Sequence, residues 1–346
     1  MRAAVLVQQG RPLAIVERPE PVPGDHEVLI RVEACGVCRT DLHLRDAEIP
    51  ANGLPRVLGH QVVGHVASRG EAVRELSVGD RVGVPWLAWT DGVCHYCRTA
   101  RENLCPNAMF TGRDVDGGFA EYTVANAAYC LPLPRRPDAA QVAPLLCGGL
   151  IGYRALRLAG ANVERVGMYG FGSAAHIVCQ VAVHQGREVF AFVRRGDEAA
   201  AALAMSLGAV WAGPSDGPPP VPLDAAIIFA SAGPLVTEAL RAVAPGGSVV
   251  CAGIHMSDIP SFPYDDLYGE RVVRSVANLT REDGHELLEL AEMAHVTSHV
   301  TTYPLEAAEQ ALADLRAGAF VGSAVLQIGS EAGEAAGPSR AGPSGG

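Results

Sequence analysis

Val166-Gly167-Met168-Tyr169-Gly170-Phe171-Gly172-Ser173-Ala174-Ala175 runs from an apolar strand through a G-x-G-x-x-A turn into a helix-forming stretch. Each small residue has its own task in such a turn. Gly170 makes it tight, Gly172 lets backbone approach a pyrophosphate, and Ala175 allows helix to pack on strand. Alone the motif is weak. Here a second apolar strand, Glu188-Val189-Phe190-Ala191-Phe192-Val193, follows about twenty residues on, as a dinucleotide-binding unit requires.

Working outward, residues 149–276 alternate apolar strands (166–170, 188–193, 225–230, 248–253, 271–276) with alanine-rich helical stretches. This is the pattern of a doubly wound parallel sheet. Residues 1–148 differ: short alternating runs such as Val28-Leu29-Ile30-Arg31-Val32 are interrupted by Pro, Gly and Asp, which predicts a β-rich, barrel-like unit. After Val276 come a helix-like segment, a strand at 300–305, a helix over 306–315 and a strand near 323–328. These exceed what the parallel sheet needs. They are expected to return to the first unit, so that 1–148 and 277–328 form one domain and 149–276 the other, with the active site in the cleft between them. The tail 329–346, rich in Gly, Ala, Ser and Pro, is expected to be disordered.

The chain has 346 residues, enough for two domains, and is 49% hydrophobic and 19% charged, as in ordinary globular proteins. A net charge of −11 without a basic stripe argues against a nucleic-acid partner. All 27 basic residues are arginine. The absence of lysine excludes Walker-type phosphate loops, Schiff-base chemistry and Tyr-x-x-x-Lys dehydrogenases. No run reaches the ~18 apolar residues of a membrane span and the start carries no secretion signal, so a cytoplasmic protein without a membrane partner is expected. Nine cysteines, some at Cys-x-x-Cys spacing, then favour metal or thiol use over disulfides.

Cys38, Thr40, Asp41 and His43 fall within six positions, a metal ligand, a hydroxyl, a carboxylate and an imidazole. That cluster suggests metal-assisted proton removal. His60, in Gly59-His60-Gln61-Val62-Val63-Gly64, and Cys147 complete a Cys/His/Cys set around an open-coordinate zinc. Such a zinc is a Lewis acid toward a substrate oxygen, and the dinucleotide supplies the hydride acceptor.

With these motifs in order over nearly the whole chain to about residue 328, the sequence resembles the zinc-containing medium-chain alcohol dehydrogenases. The stretches Gly170–His176 and Ile254–Pro260 are similar to a bacterial zinc-binding alcohol dehydrogenase-like subgroup. The resemblance implies a chaperonin-10-like catalytic domain, a Rossmann domain, a small alcohol or aldehyde substrate, and a homo-oligomer, dimer or tetramer. It implies zinc ligation by Cys38, His60 and Cys147. Thr40 would bond the substrate hydroxyl and pass its proton through the nicotinamide ribose to His43, which opens to solvent. Asp41 would orient the imidazole of His60, and Arg39 would contact the pyrophosphate. Two departures stand out: Gln61 replaces the usual glutamate after the ligand histidine, and Gly322 replaces an arginine that some members direct at the pyrophosphate.

The segment Asp91-Gly92-Val93-Cys94-His95-Tyr96-Cys97 with Cys105 resembles the family's structural-zinc lobe, with Asp91 in place of the first cysteine. Zinc accepts carboxylate oxygen, so an Asp-Cys-Cys-Cys site is expected, the alternatives being His95 in place of Asp91 or a metal-free loop. At the end of the second sheet strand, where NAD-specific sites place an acid, Arg194-Arg195 suits a 2′-phosphate and predicts NADP(H) over NAD(H); the plainer alternative is two solvated arginines. Cys35, Cys130, Cys179 and Cys251 read as core residues, and His176 as structural. Trp86 and Leu87 are candidate pocket walls, while His65, His255 and His295 carry no interpretable spacing.

The leading function is a zinc-dependent alcohol–aldehyde oxidoreductase using NADP(H). Its rivals are a zinc-independent enone or quinone reductase on the same scaffold, and a non-catalytic nucleotide-binding protein.

Overall fold

The computed structural model describes residues 1–134 and 138–329. Strand Glu27–Val37 is the spine of the N-terminal half, pairing with Val62–Arg69, Tyr122–Asn126 and Ser323–Gln327, all antiparallel. A strand with neighbours on both edges and packing on both faces reads as nearly continuous apolar sequence. Eight of its eleven residues are buried accordingly. Register shifts at Leu29/Ile30 and Val32/Ala34 bend it, as bulges do in closing sheets.

The sheet runs in the order Leu131–Pro132, Arg81–Val84, Val62–Arg69, Glu27–Val37, Ser323–Gln327, Val300–Pro304. The C-terminal strands therefore lie in the N-terminal sheet, with Ala324 opposite Val37, one residue before Cys38. Leu326 and Val325 are completely buried on its two faces. Truncating such a leucine to alanine costs roughly 2–5 kcal/mol, enough to loosen the strand end that carries the cysteine. The helix expected at 306–315 begins as a 3-10 turn, Leu305–Ala307, continues as Ala308–Ala317, and stops at Gly318 in the left-handed region.

The second sheet is wholly parallel, in the order Trp211–Pro214, Glu188–Val193, Arg165–Tyr169, Leu223–Ile228, Val243–Cys251, Val272–Ser275. This is the Rossmann order, reversing beside Arg165–Tyr169, so that its carboxyl end is the switch point where ligands bind. The strand Trp211–Pro214 was not among those expected. It is four residues long and ends in proline, which only an edge position tolerates. Together the two halves form an α/β protein with a β-rich chaperonin-10-like part and a doubly wound part. No single helix among the described residues is long and apolar enough to cross a membrane. Of the tail 329–346, all but Gly329 lies outside the described residues.

Candidate metal and dinucleotide site

Where strand Glu27–Val37 ends, Cys38 turns extended and caps helix Arg39–Arg45. Its Sγ accepts the Thr40 N–H at 3.3 Å, and Asp41 Oδ2 accepts the Cys38 N–H at 2.9 Å, a reciprocal cap of the kind that fixes a helix start. The other Asp41 oxygen accepts the Gly59 N–H at 3.1 Å. Gly59 has φ +93°, and a Cβ there would lie 2.4 Å from the Phe119 ring, so only glycine makes this turn. The turn delivers His60, completely buried, with Nε2 3.1 Å from Cys38 Sγ. Its Nδ1 lies 3.2 Å from Asp41 Oδ1, close enough for strong charge interaction though not aligned as a hydrogen bond. Cys147 occupies the break between the 3-10 turn Ala143–Leu146 and helix Gly148–Ala159. One donor atom from each of Cys38, His60 and Cys147 falls within 4.8 Å of the others.

Charge in this enclosed place is unbalanced in a telling way. A hydrogen bond from Cys147 draws the Cys38 thiol well below its usual range, assisted, against burial, by the His60 imidazole. Donation of that same bond, together with burial, holds Cys147 well above. Burial disfavours a charged His60, but the Asp41 and Cys38 charges outweigh it and raise the imidazole. Burial raises the Asp41 carboxyl. Two sulfurs sharing a proton beside a buried carboxylate are a site that a dication would relieve. Two thiol sulfurs and one imidazole nitrogen are donors that suit zinc, and three of them leave a position open.

At the switch point Gly170 takes φ +88° against the Ala230 backbone, and a Cβ at Gly172 would meet nothing within 4 Å. Helix Ser173–His184 begins after Gly172 without a side-chain cap, so its amides face open space, the arrangement that suits an anion. Phe171 and Ala175 are buried beneath the turn, and Ser173 Oγ is tied to Ser323 Oγ at 2.6 Å. His176 is structural: fully buried, its Nε2 accepts the His299 N–H at 3.1 Å, and burial pushes its imidazole down to about 4. Arg39 lies exposed on the first turn of its helix. Arg194 and Arg195 are exposed at the end of strand Glu188–Val193; Arg195 grips Asp216 at 3.0 Å, while Arg194 has no side-chain partner among the described residues.

The lobe is built locally. Strands Leu87–Trp89 and Met109–Phe110 pair at its base. Asp91 Oδ1 accepts the Val93 and Cys94 N–H groups, each at 2.9 Å, and Oδ2 accepts from Asn107 at 2.9 Å. The Cys94 N–H, together with the Asn107 amide, pulls this half-buried carboxyl below its usual range. Asp91, Cys94, Cys97 and Cys105 bring their donor atoms within 4.8 Å of one another. His95 is not among them, since its ring meets Arg101 at 3.0 Å.

Residues 24–135 match the alcohol dehydrogenase GroES-like domain. Over 324 residues, 92% of this chain and 93% of the relative, the sequence is 46% identical to "Probable alcohol dehydrogenase AdhA" of Mycobacterium tuberculosis. The fold is similar to that of a cobalt- and zinc-bound thermostable alcohol dehydrogenase from Pyrobaculum aerophilum, with a TM-score of 0.85 and 26% identity over 94% of this chain and 99% of that one. It is equally similar to a zinc-binding dehydrogenase of Sinorhizobium meliloti bound to NADP, with a TM-score of 0.85 and 25% identity over 94% and 98% of the two chains. The chain belongs to the zinc-type medium-chain alcohol dehydrogenase family.

As a member of that family, this chain departs from it in visible ways. Gln61 is buried, with its amide against Gly36, where even a Cβ would come within 2.6 Å of the Gln61 oxygen. Gly322 has φ +89°, and a Cβ would lie 2.2 Å from the His299 carbonyl, so the local backbone has no room for the arginine of other members. Trp86 does stand at the site, edge-on to His60 at 4.9 Å and stacked on Phe110 at 5.1 Å. Leu87 does not: it is completely buried in the core and offers no surface to a pocket. Strand alternation explains this, because neighbours in an extended chain point oppositely. Cys35, Cys130 and Cys179 are core side chains and Cys251 is half-buried. His65 bonds Glu33 and the Gly79 carbonyl, and His295 follows a helix end with φ +51°.

The expectation that His43 opens to solvent is corrected. It is 8% exposed, its Nδ1 bonds Glu48, and its ring lies 5.4 Å from that of His255. Glu48, Phe110 and Asp216 are residues at these sites that no motif marked, and His255, within the Ile254–Pro260 stretch, was given no role. Only Glu48, just after the helix end, offered a local hint.

Proposed function

We propose that this alcohol dehydrogenase family member interconverts small alcohols and aldehydes or ketones by zinc-dependent hydride transfer with NADP(H). The observation that carries the reading is the convergence of Cys38, His60 and Cys147, from three distant segments, on one point beside Trp86. Zinc held by these residues would supply Lewis-acid polarisation of the substrate oxygen. Around it the chain's own groups divide the remaining work. Thr40, buried in the helix turn after Cys38, bonds the substrate hydroxyl. Asp41 biases and orients His60 by its charge. His43 would take up the proton that the hydroxyl releases.

Residues 149–276 are the nucleotide-binding domain in this reading, and 1–148 with 277–328 the catalytic one. The uncapped helix start after Gly172 and the exposed Arg39 would hold the pyrophosphate, and Arg194 with Arg195 would hold the 2′-phosphate. The NADP-bound Sinorhizobium relative supports that preference. Asp91, Cys94, Cys97 and Cys105 would hold a second, structural zinc, which their spacing and donor types fit. A cytoplasmic homo-oligomer completes the proposal.

The test is oxidation of NADPH and NADH with a panel of aldehydes, ketones and enones, before and after chelation. Chelator-sensitive, NADPH-preferring aldehyde or ketone reduction is expected, and Arg194→Asp should move the preference toward NADH by at least about tenfold. Chelator-resistant enone reduction, or binding without turnover, would overturn the zinc reading; an unchanged cofactor ratio would remove Arg194 from its role.

A further inference from the structure

His43 lies near the end of helix Arg39–Arg45, almost fully enclosed. Its Nδ1 is hydrogen-bonded to Glu48 Oε2, while its Nε2 is buried with no partner among the described residues. A neutral imidazole carries one N–H and one lone pair, and an ionised carboxylate only accepts. The Glu48 side chain is 47% exposed, so its charge is hydrated and cheap to keep. The contact therefore assigns the N–H to Nδ1 and the lone pair to Nε2.

Backbone geometry enforces the pairing. The helix is capped at Asp46, Ala47 takes φ +66°, and the Glu48 and Ile49 N–H groups both donate to the His43 carbonyl, at 3.0 and 3.2 Å. That turn folds Glu48 back over the imidazole. A buried acceptor left unpaired is costly, so the free Nε2 suits a partner that arrives with substrate or cofactor. The charged groups nearby are otherwise engaged: Arg45 bonds Asp46 and Glu309, and Arg316 bonds Asp46. His255, 5.4 Å away, is the other titratable ring facing His43.

We infer that Glu48 is a positioning residue that holds His43 as the Nδ1–H tautomer, so that Nε2 is the base taking the proton released in alcohol oxidation. The inference rests on the proposed function for the identity of the reaction. In the step, a hydroxyl O–H bond breaks and an Nε2–H bond forms; no electrons are exchanged with Glu48, which stabilises the resulting imidazolium. The imidazolium is the product of this step, and in carbonyl reduction it returns the same proton to the substrate oxygen.

Nitrogen-15 NMR of the deprotonated His43 ring, in the full chain labelled at histidine, tests the tautomer without needing turnover. Wild type should show Nδ1–H, and Glu48→Ala a mixture dominated by Nε2–H. In parallel, Glu48→Ala should lower kcat for alcohol oxidation by about tenfold or more with KM within about twofold, zinc content unchanged, and Glu48→Asp should restore most of the loss. An Nε2–H ring in wild type overturns the inference, as does unchanged kcat in Glu48→Ala. The same tautomer change in His255→Gln with none in Glu48→Ala also overturns it. If wild type turns over no alcohol, the functional reading fails by itself and the NMR result alone decides the assignment of the ring.

Discussion

The two cysteine clusters use similar donors and are built in opposite ways. The cleft set, Cys38, His60 and Cys147, is drawn from three segments far apart in the chain and braced by the core: His60 and Asp41 are completely buried, and Gly59 is locked under Phe119. The lobe set comes from one loop, Asp91 to Cys105, whose apolar side chains Val93, Tyr96 and Leu104 are 71%, 37% and 39% exposed. The first arrangement is paid for by folding and is ready for a metal. The second has little core of its own, so a metal there would contribute shape. The difference teaches that ligand type alone does not assign a role; what holds the ligands does.

The largest effect should come from exchanging one cysteine in each cluster. Cys38→Ser removes a donor from a site already organised, so turnover should fall by about a thousandfold, given the several kcal/mol a Lewis acid supplies, with thermal stability close to wild type and NADPH binding kept. Cys97→Ser should do the reverse: kcat within a few-fold of wild type, but a lower melting temperature and faster proteolysis within residues 90–108. Activity assays, calorimetry and limited digestion of the two variants decide this. Similar profiles for both would break the comparison.

A smaller effect isolates the bracing from the ligands. Asp41→Asn keeps the size of a group that accepts the N–H of Cys38 and of Gly59 and neutralises the charge beside His60. One amide end must then point a donor at a donor. Metal affinity at the cleft should drop by about 10–100-fold, measured by competition with a chelator, while lobe metal is unaffected. Equal loss from both clusters would mean that the variant perturbs the fold at large rather than His60.

Much of this was legible in the amino-acid order because the decisive signals are local. Gly170, Gly172 and Ala175 state their tasks by type, and the apolar strands at 188–193 and 225–230 read as runs because they are buried on both faces. Trp211–Pro214 was illegible since its pairing with Phe190–Val193, rather than its composition, makes it a strand. Leu87 was misplaced because flanking a site residue does not say which face a side chain takes. His43 was misread for a similar reason: its enclosure depends on a left-handed turn at Ala47 that composition does not announce. Cys38, His60 and Cys147 could be grouped by donor type and by the family order, but no spacing joins them, because their meeting is a property of the fold.

The finest test of the comparison lies at Asp91, where carboxylate replaces the expected sulfur. Both of its oxygens are committed to local donors, the N–H groups of Val93 and Cys94 and the amide of Asn107. A metal must therefore share these oxygens with the turn, or the turn must give way. If Asp91 is a ligand, Asp91→Asn weakens lobe metal binding by about tenfold, and Asp91→Cys, which supplies the softer donor, strengthens it. If Asp91 only shapes the turn, Asn can still accept the two backbone N–H groups through Oδ1, so metal content holds and Asp91→Cys is the variant that loses stability. Metal content and melting temperature of the two variants separate these cases, and they should move in opposite directions, because a loop held by its metal gains from a better ligand what a loop held by its hydrogen bonds would lose.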